Sequence, residues 1–263
     1  MVLSISELCL IGGEVEDNVD RLMEQGADNI ELMLDGRGWD GFPRRMEALA
    51  SMLKAKGVGY SVHVPVWDVN LTSENSHIRN AVLESYKDSI LFAAMLEASH
   101  VVIHPGYRSD PHFSAATARS RARESLGELL DFNRQYGRLL LVENIGSPSA
   151  SIFTQDEYAT FLDDFPSELG YIVDIGHAFL NGWDIPALLD GIKERLFALH
   201  LHDNDGKRDA HLALGEGSID WPRIFGAVKS TGRELELILE YNLGTDLSKL
   251  AKGKARLEAE FGV

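Results

Sequence analysis

Apolar and polar positions along the 263-residue chain fall into two alternating rhythms. Short runs dense in Val, Ile, Leu and Tyr read as strands covered on both faces. They are VLSISELCL from residue 2, ADNIELML from 27, GVGYSVHV from 57, SHVVIHP from 99, RLLLVENI from 138, GYIVDIG from 170, RLFALHLH from 195 and ELELILEY from 234. Between them lie stretches with the apolar spacing of amphipathic helices, among them EDNVDRLMEQG, RRMEALASMLKAKG, RNAVLESYKDSILFAAMLEA, ARSRARESLGELLDFNRQYG and WPRIFGAVKSTG. Several end on the glycine that suits a helix C-terminus. No Pro/Ser-rich linker divides the chain, so the pattern predicts eight parallel βα units closing into one α/β domain over residues 1–263, a single (β/α)8 TIM barrel. An open doubly wound sheet is the competing arrangement. Its dinucleotide-binding version lacks support, because the first turn, LCLIGGEVED, is not GxGxxG.

Composition narrows the class. With 44% hydrophobic and 25% charged residues the chain is neither disordered nor membrane-spanning, and the N-terminal run reads as a first strand rather than a signal peptide. A cytoplasmic protein is expected. The single cysteine, Cys9, excludes an intrachain disulfide and a thiolate-rich zinc site, which leaves imidazoles and carboxylates as the ligands for any metal. A formal charge of −16 argues against broad attraction to nucleic acid, whose binding relies on a basic surface.

The strand ends carry the candidate chemistry. In a parallel barrel the C-terminal ends of the strands form the functional rim. Here six consecutive strands end in ligand-type residues: His63, His104, Glu143, Asp174 with His177 three residues on, His200 and His202, and Glu240. Taken singly, each has an ordinary account as a helix cap, a half-buried histidine or a strand end meeting water. One shared divalent-metal site explains them together, and it removes the repulsion of converging carboxylates. The stretch HLHDNDGKRDAHLALGEGSIDW adds Asp209 and His211 by bending back to the same rim, and Ser218 is expected to cap the following helix. His200 and His202 share a strand side, so the pattern alone does not choose between them. The donor set suits zinc, manganese, iron or cobalt.

The elements SVHVP, VVIHPG, LVENIG, VDIGHAFLNGWD, HLHDNDGKRDAHLALGEGSIDW and LILEYN, in this order, resemble the xylose isomerase-like TIM barrel superfamily, which holds sugar isomerases and epimerases and the endonuclease IV (AP endonuclease family 2) nucleases. The resemblance covers nearly the whole chain. It implies one of two ligand schemes. In the one-metal isomerases and epimerases the ligands would be Glu143, Asp174, His200 and Glu240, with Glu143 and Glu240 moving a proton on and off a substrate carbon through an enediolate. In the three-metal nucleases, His63, His104 and Glu143 would hold one ion, Glu143, Asp174, His200 and Glu240 a second, and His177, Asp209 and His211 a third. The resemblance thus selects His200 as the strand-seven ligand and leaves His202 for substrate.

Cations and aromatics near the rim complete the expectation. The loop after strand two supplies Arg37, Trp39, Arg44 and Arg45, the loop after strand four Tyr107 and Arg108, and the loop after strand seven Lys207 and Arg208, interleaved with Asp35, Asp40, Asp110, Asp203 and Asp205. Arg37, Trp39, Arg108, Lys207 and His202 are the substrate-binding candidates, and Trp67 is a second aromatic near the mouth. A mixed rim suits a small polar ligand better than a duplex. The reading is a metal-dependent sugar or sugar-phosphate isomerase or epimerase carrying one to three divalent ions, zinc or manganese, and able to form homo-oligomers as many sugar-isomerising relatives do. Its alternatives are an abasic-site endonuclease, in which case nucleic acid becomes the partner, and a non-catalytic binding barrel.

Overall fold

The computed structural model describes residues 1–110 and 112–263. Eight parallel strands close on themselves in sequence order: β1 (Val2–Ser6), β2 (Asn29–Met33), β3 (Gly59–His63), β4 (His100–Ile103), β5 (Leu139–Glu143), β6 (Leu169–Asp174), β7 (Leu196–Leu201) and β8 (Glu236–Leu239). β1 pairs with both β2 and β8, so the sheet has no free edge. The helices are α1 (Val15–Glu24), α2 (Met46–Lys54), α3 (Ser76–Leu96), α4 (Ala115–Asn133), α5 (Gln155–Ala159), α6 (Ile175–Leu180), α7 (Ile185–Ile192), α8 (Trp221–Ser230) and α9 (Ser248–Phe261). None of the described helices is long and apolar enough to cross a membrane.

Strand parity decides which side chains enter the barrel. Val102, Leu141, Ile172, Ala198 and Ile238 form a closed apolar layer inside it. The residues two positions further along the same strands are His104, Glu143, Asp174, His200 and Glu240. A dry apolar floor therefore lies directly beneath a polar layer at the C-terminal rim. The opposite parity, including Val101, Leu140, Val142, Val173, Leu199, Leu237 and Leu239, joins the helices in the larger outer core.

Element boundaries differ from the sequence pattern in instructive places. The first strand ends at Ser6, and Glu7–Leu10 turn into a 3-10 helix whose entry Ser6 caps through a hydrogen bond from the Leu8 amide. Ser218 does not cap α8. Asp220 does, accepting from the Arg223 amide, with Pro222 in the first turn where a missing N–H costs nothing. The segment between β5 and β6 holds only the short α5, but Thr154 and Glu157 give it a complete capping box.

Candidate metal centre

The rim layer brings all nine expected ligands into one constellation. His63 and His104 each direct Nε2 at the same oxygen, Glu143 Oε2, at 3.2 and 2.9 Å. The other oxygen of Glu143 faces His200 Nδ1 at 3.0 Å, and that nitrogen is also 3.6 Å from Glu240 Oε2 and 4.0 Å from Asp174 Oδ2. Glu143 thus bridges two neighbouring groups. A third group forms around Asp209, whose Oδ2 lies 2.9 Å from His177 Nε2 and whose Oδ1 lies 3.3 Å from His211 Nε2. The potential donor atoms fall into clusters that include His63, His104 and Glu143; Glu143, Asp174 and His200; and His177, His202, Asp209 and His211.

Local structure aims each ring. The outward nitrogen of His63 faces the Val64 carbonyl at 2.7 Å, that of His177 the Asn144 carbonyl at 3.1 Å, and that of His211 the Glu240 carbonyl at 3.1 Å. His200 leans on a carboxylate instead, with Nε2 3.1 Å from Glu31 Oε2. Such outer partners fix the tautomer that leaves the inward nitrogen free to bind an ion. Asp174 both begins α6, accepting the His177 amide at 2.6 Å, and is held by Asn144, which bonds its backbone in both directions at 2.9 Å. His211 has φ +41°, in the left-handed region, and this turns its ring toward the rim.

Electrostatics set the charge that the site favours. Burial opposes ionisation of Glu143, yet His200 and His104 outweigh it and hold the carboxyl well below its ordinary range. Burial likewise opposes the charge on Asp209, but His177 and His211 hold it far below the usual value. Burial lowers His63, but Glu143 and Glu31 push it up to about 9; Asp209 and Glu240 push His211 to about 9 against the same penalty. His104 goes the other way, because its burial outweighs the Glu143 contact. Buried carboxylates held ionised by imidazolium partners form a site that demands positive charge, and neutral imidazoles around divalent ions satisfy that demand with the same atoms. The residues therefore fit a metal centre of N and O donors.

A cavity of about 280 Å³ opens over this layer. Ligand residues form its floor, and Leu8, Met33, Val66, Trp67, Tyr107, Ile145 and Ala150 form an apolar and aromatic wall. Its described lining contains neither Lys nor Arg. The rim cations lie elsewhere: Arg37 and Lys207 are exposed, and Arg108 is spent on the Ser151 and Pro148 carbonyls. Trp39 is buried against Phe42 and Phe92, each edge-to-face, outside the lining of this cavity. The aromatic at the mouth is Trp67, 49% exposed. His202 is fully buried among ligands.

Two residues escaped the sequence pattern. Glu31, inside β2, was hidden in an apolar run, although an acid at inward parity within such a run is itself a signal. Asp203, grouped with rim acids, is fully buried and accepts from the Asn204, Gly215 and Ile219 amides and from Trp221 Nε1, at 2.9, 2.9, 3.2 and 2.8 Å.

The model of the xylose isomerase-like TIM barrel family matches residues 19–260. The chain belongs to that family. Among its relatives, a probable endonuclease 4 of Mycobacterium leprae is 28% identical over 235 residues, covering 85% of this chain and 90% of the relative. Fructoselysine 3-epimerase of Shigella flexneri is 24% identical over 239 residues, covering 83% of each chain. A crystal structure of a D-tagatose 3-epimerase-like protein superposes with a TM-score of 0.86 at 23% identity, covering 100% of this chain and 97% of the other. Within the xylose isomerase-like barrels, this chain thus resembles both carbohydrate epimerases and endonuclease 4.

Proposed function

We propose that the protein is a metal-dependent epimerase or isomerase of a small, uncharged hydroxyketone, a free sugar rather than a sugar phosphate. One observation carries the reading: Glu143 and Glu240 face the same His200 nitrogen at 3.0 and 3.6 Å beneath a cavity of about 280 Å³ with no Lys or Arg in its lining. A cavity of this size fits a monosaccharide, and a dianionic phosphate would enter an acidic site without a side-chain counter-ion. Trp67 at the mouth offers a flat face for a sugar ring.

In this reading one glutamate takes the proton from the carbon beside the substrate carbonyl. The C–H electron pair moves into the new C=C bond, and the carbonyl pair moves onto oxygen. The other glutamate returns a proton, to the opposite face for epimerisation. A bound divalent ion would hold the carbonyl and adjacent hydroxyl oxygens and stabilise their negative charge. Glu143, Asp174, His200 and Glu240 would hold that ion. The apolar wall excludes water from the carbanionic stage.

The three clusters around Glu143 and Asp209 favour a second reading, phosphodiester hydrolysis in the manner of endonuclease 4. The cation-free lining weighs against it. Metal-loaded protein is incubated with free ketoses and their phosphates in heavy water, and in parallel with a duplex containing an abasic site. Deuterium entering the carbon next to the carbonyl of a free ketose, without strand nicking, supports the epimerase. Chelator-sensitive nicking with no exchange into any sugar overturns it.

A further inference from the structure

Strand geometry sets His202 apart from the other rim histidines. It points into the barrel like His200 but lies two residues further along the chain, about 6.6 Å nearer the mouth. That offset lifts it from the deep layer, where His200 meets Glu31, to the level at which Asp209 and His211 fold back. Its Nε2 is 3.9 Å from Asp209 Oδ1 and 3.0 Å from Asp174 Oδ2, and its ring stacks on His211 with centroids 3.7 Å apart and planes at 14°. Around that nitrogen the nearby polar groups are carboxylates and imidazoles. The chain makes room for the ring: a Cβ on Gly176 would lie 2.0 Å from His202 Cε1 and 2.6 Å from Nε2, so any other residue in DIGH would evict it. Its Nδ1, unlike the outward nitrogens of His63, His177, His200 and His211, has no partner among the described residues, so the ring is held by packing and by the contact of Nε2 with Asp174.

We propose that His202 is the fourth protein ligand of the outer cluster, so that His177, His202, Asp209 and His211 form a closed three-histidine, one-aspartate site for zinc or a similar divalent ion. Tetrahedral zinc with ligands at about 2.0–2.1 Å has ligand–ligand edges of about 3.3 Å. His211 and His202 Nε2 lie 3.3 and 3.9 Å from one Asp209 oxygen, Oδ1, His177 Nε2 lies 2.9 Å from the other, Oδ2, and one donor atom from each of the four residues falls within 4.8 Å of the rest. A tetrahedral ion whose four positions are all filled by protein donors keeps no position for substrate and acts structurally, unlike a deep ion of higher coordination number that adds substrate oxygens to its protein ligands. Here the ion would tie the start of α6, through His177, to the end of β7 and to the loop carrying Asp209 and His211. The inference does not depend on which reaction the deeper cluster performs. It does remove the outer ion from any direct role at a phosphate.

The test counts ions and reads their coordination. Wild type, His202→Asn, His211→Ala and the double variant are loaded with zinc, dialysed identically, and analysed for metal content and for release to a chelator. His202→Asn is expected to lose about one ion per chain, or to release it at least tenfold faster, and the double variant to lose nothing beyond His211→Ala. Cobalt-loaded wild type supplies a readout independent of any variant: one ion per chain with the intense visible absorption of four-coordinate cobalt is expected. Unchanged metal content and release in His202→Asn would overturn the proposal. So would an additional ion lost from the double variant, which would make His202 a hydrogen-bond donor to Asp174 serving the deeper cluster, or a wild-type cobalt spectrum without a four-coordinate component.

Discussion

Single side chains divide into those that meet the substrate space and those that steady them from behind. Glu240 borders the cavity and faces His200 Nδ1, so under the proposed epimerase reading Glu240→Gln removes a proton carrier while keeping its shape. Turnover of the ketose substrate should fall about 10²–10⁴-fold. Deuterium incorporation checks it, and near-normal exchange would remove Glu240 from the reaction. Glu31 lies below the ligands, and its role runs through His200. Glu31→Gln should weaken the deep ion about 10–100-fold, with turnover restored when metal saturates. Metal titration followed by activity separates this from a lost catalytic group, which excess metal would not rescue. The candidate ligands that the structure brings together were legible in the sequence from strand ends, residue type and the family resemblance. Glu31 was not, since what distinguishes it is the ring it meets 169 positions away.

Elements carry a different kind of information. β7 gives way to a long loop, and one buried carboxylate organises it: Asp203 gathers three amides and the Trp221 indole, while its backbone bridges Leu212 in both directions at 2.8 Å. Asp209 and His211 sit inside the turn so formed. Asp203→Ala leaves four donors unanswered, three of them buried, and a loss of about 3 kcal/mol in unfolding free energy is expected, with metal in the outer cluster lost first. Chemical denaturation with metal analysis checks both, and a stable variant retaining every ion would show the loop to be held by other contacts. Local pattern found this loop and picked out Asp209 but misread Asp203, because a string of aspartates beside Lys207 and Arg208 looks like solvated surface until the chain reverses at Gly206 and Gly215, both at positive φ. The same limit explains Trp39 and Ser218. Whether an aromatic faces a cavity, or which of two nearby residues opens α8, depends on contacts between loops that periodicity does not encode.

On the scale of the whole molecule, closure of the barrel gathers imidazoles and carboxylates from six strands onto one apolar floor, and the cost of that gathering makes folding and metal binding one problem. Without metal, protons supply the positive charge: His63 and His211 titrate near 9 when folded, against about 6.5 in an unfolded chain. A raised folded pKa contributes stability that is full below about 6.5 and is lost as pH rises through about 9. The facing Glu143, Glu31 and Asp209 are held below their ordinary values, remain ionised across this window, and add no slope there. Bound ions require deprotonated rings, so loaded protein escapes this loss and its ions meet less proton competition as pH rises. The gap in Tm between metal-loaded and chelated protein should therefore widen from pH 6.5 to 9, with chelated protein less stable at every pH in that range. Scanning calorimetry of both forms at constant ionic strength measures the gap directly. A gap that stays flat or narrows would mean that protons do not stand in for the ions, and that the rim histidines and carboxylates are not a single electrostatic unit.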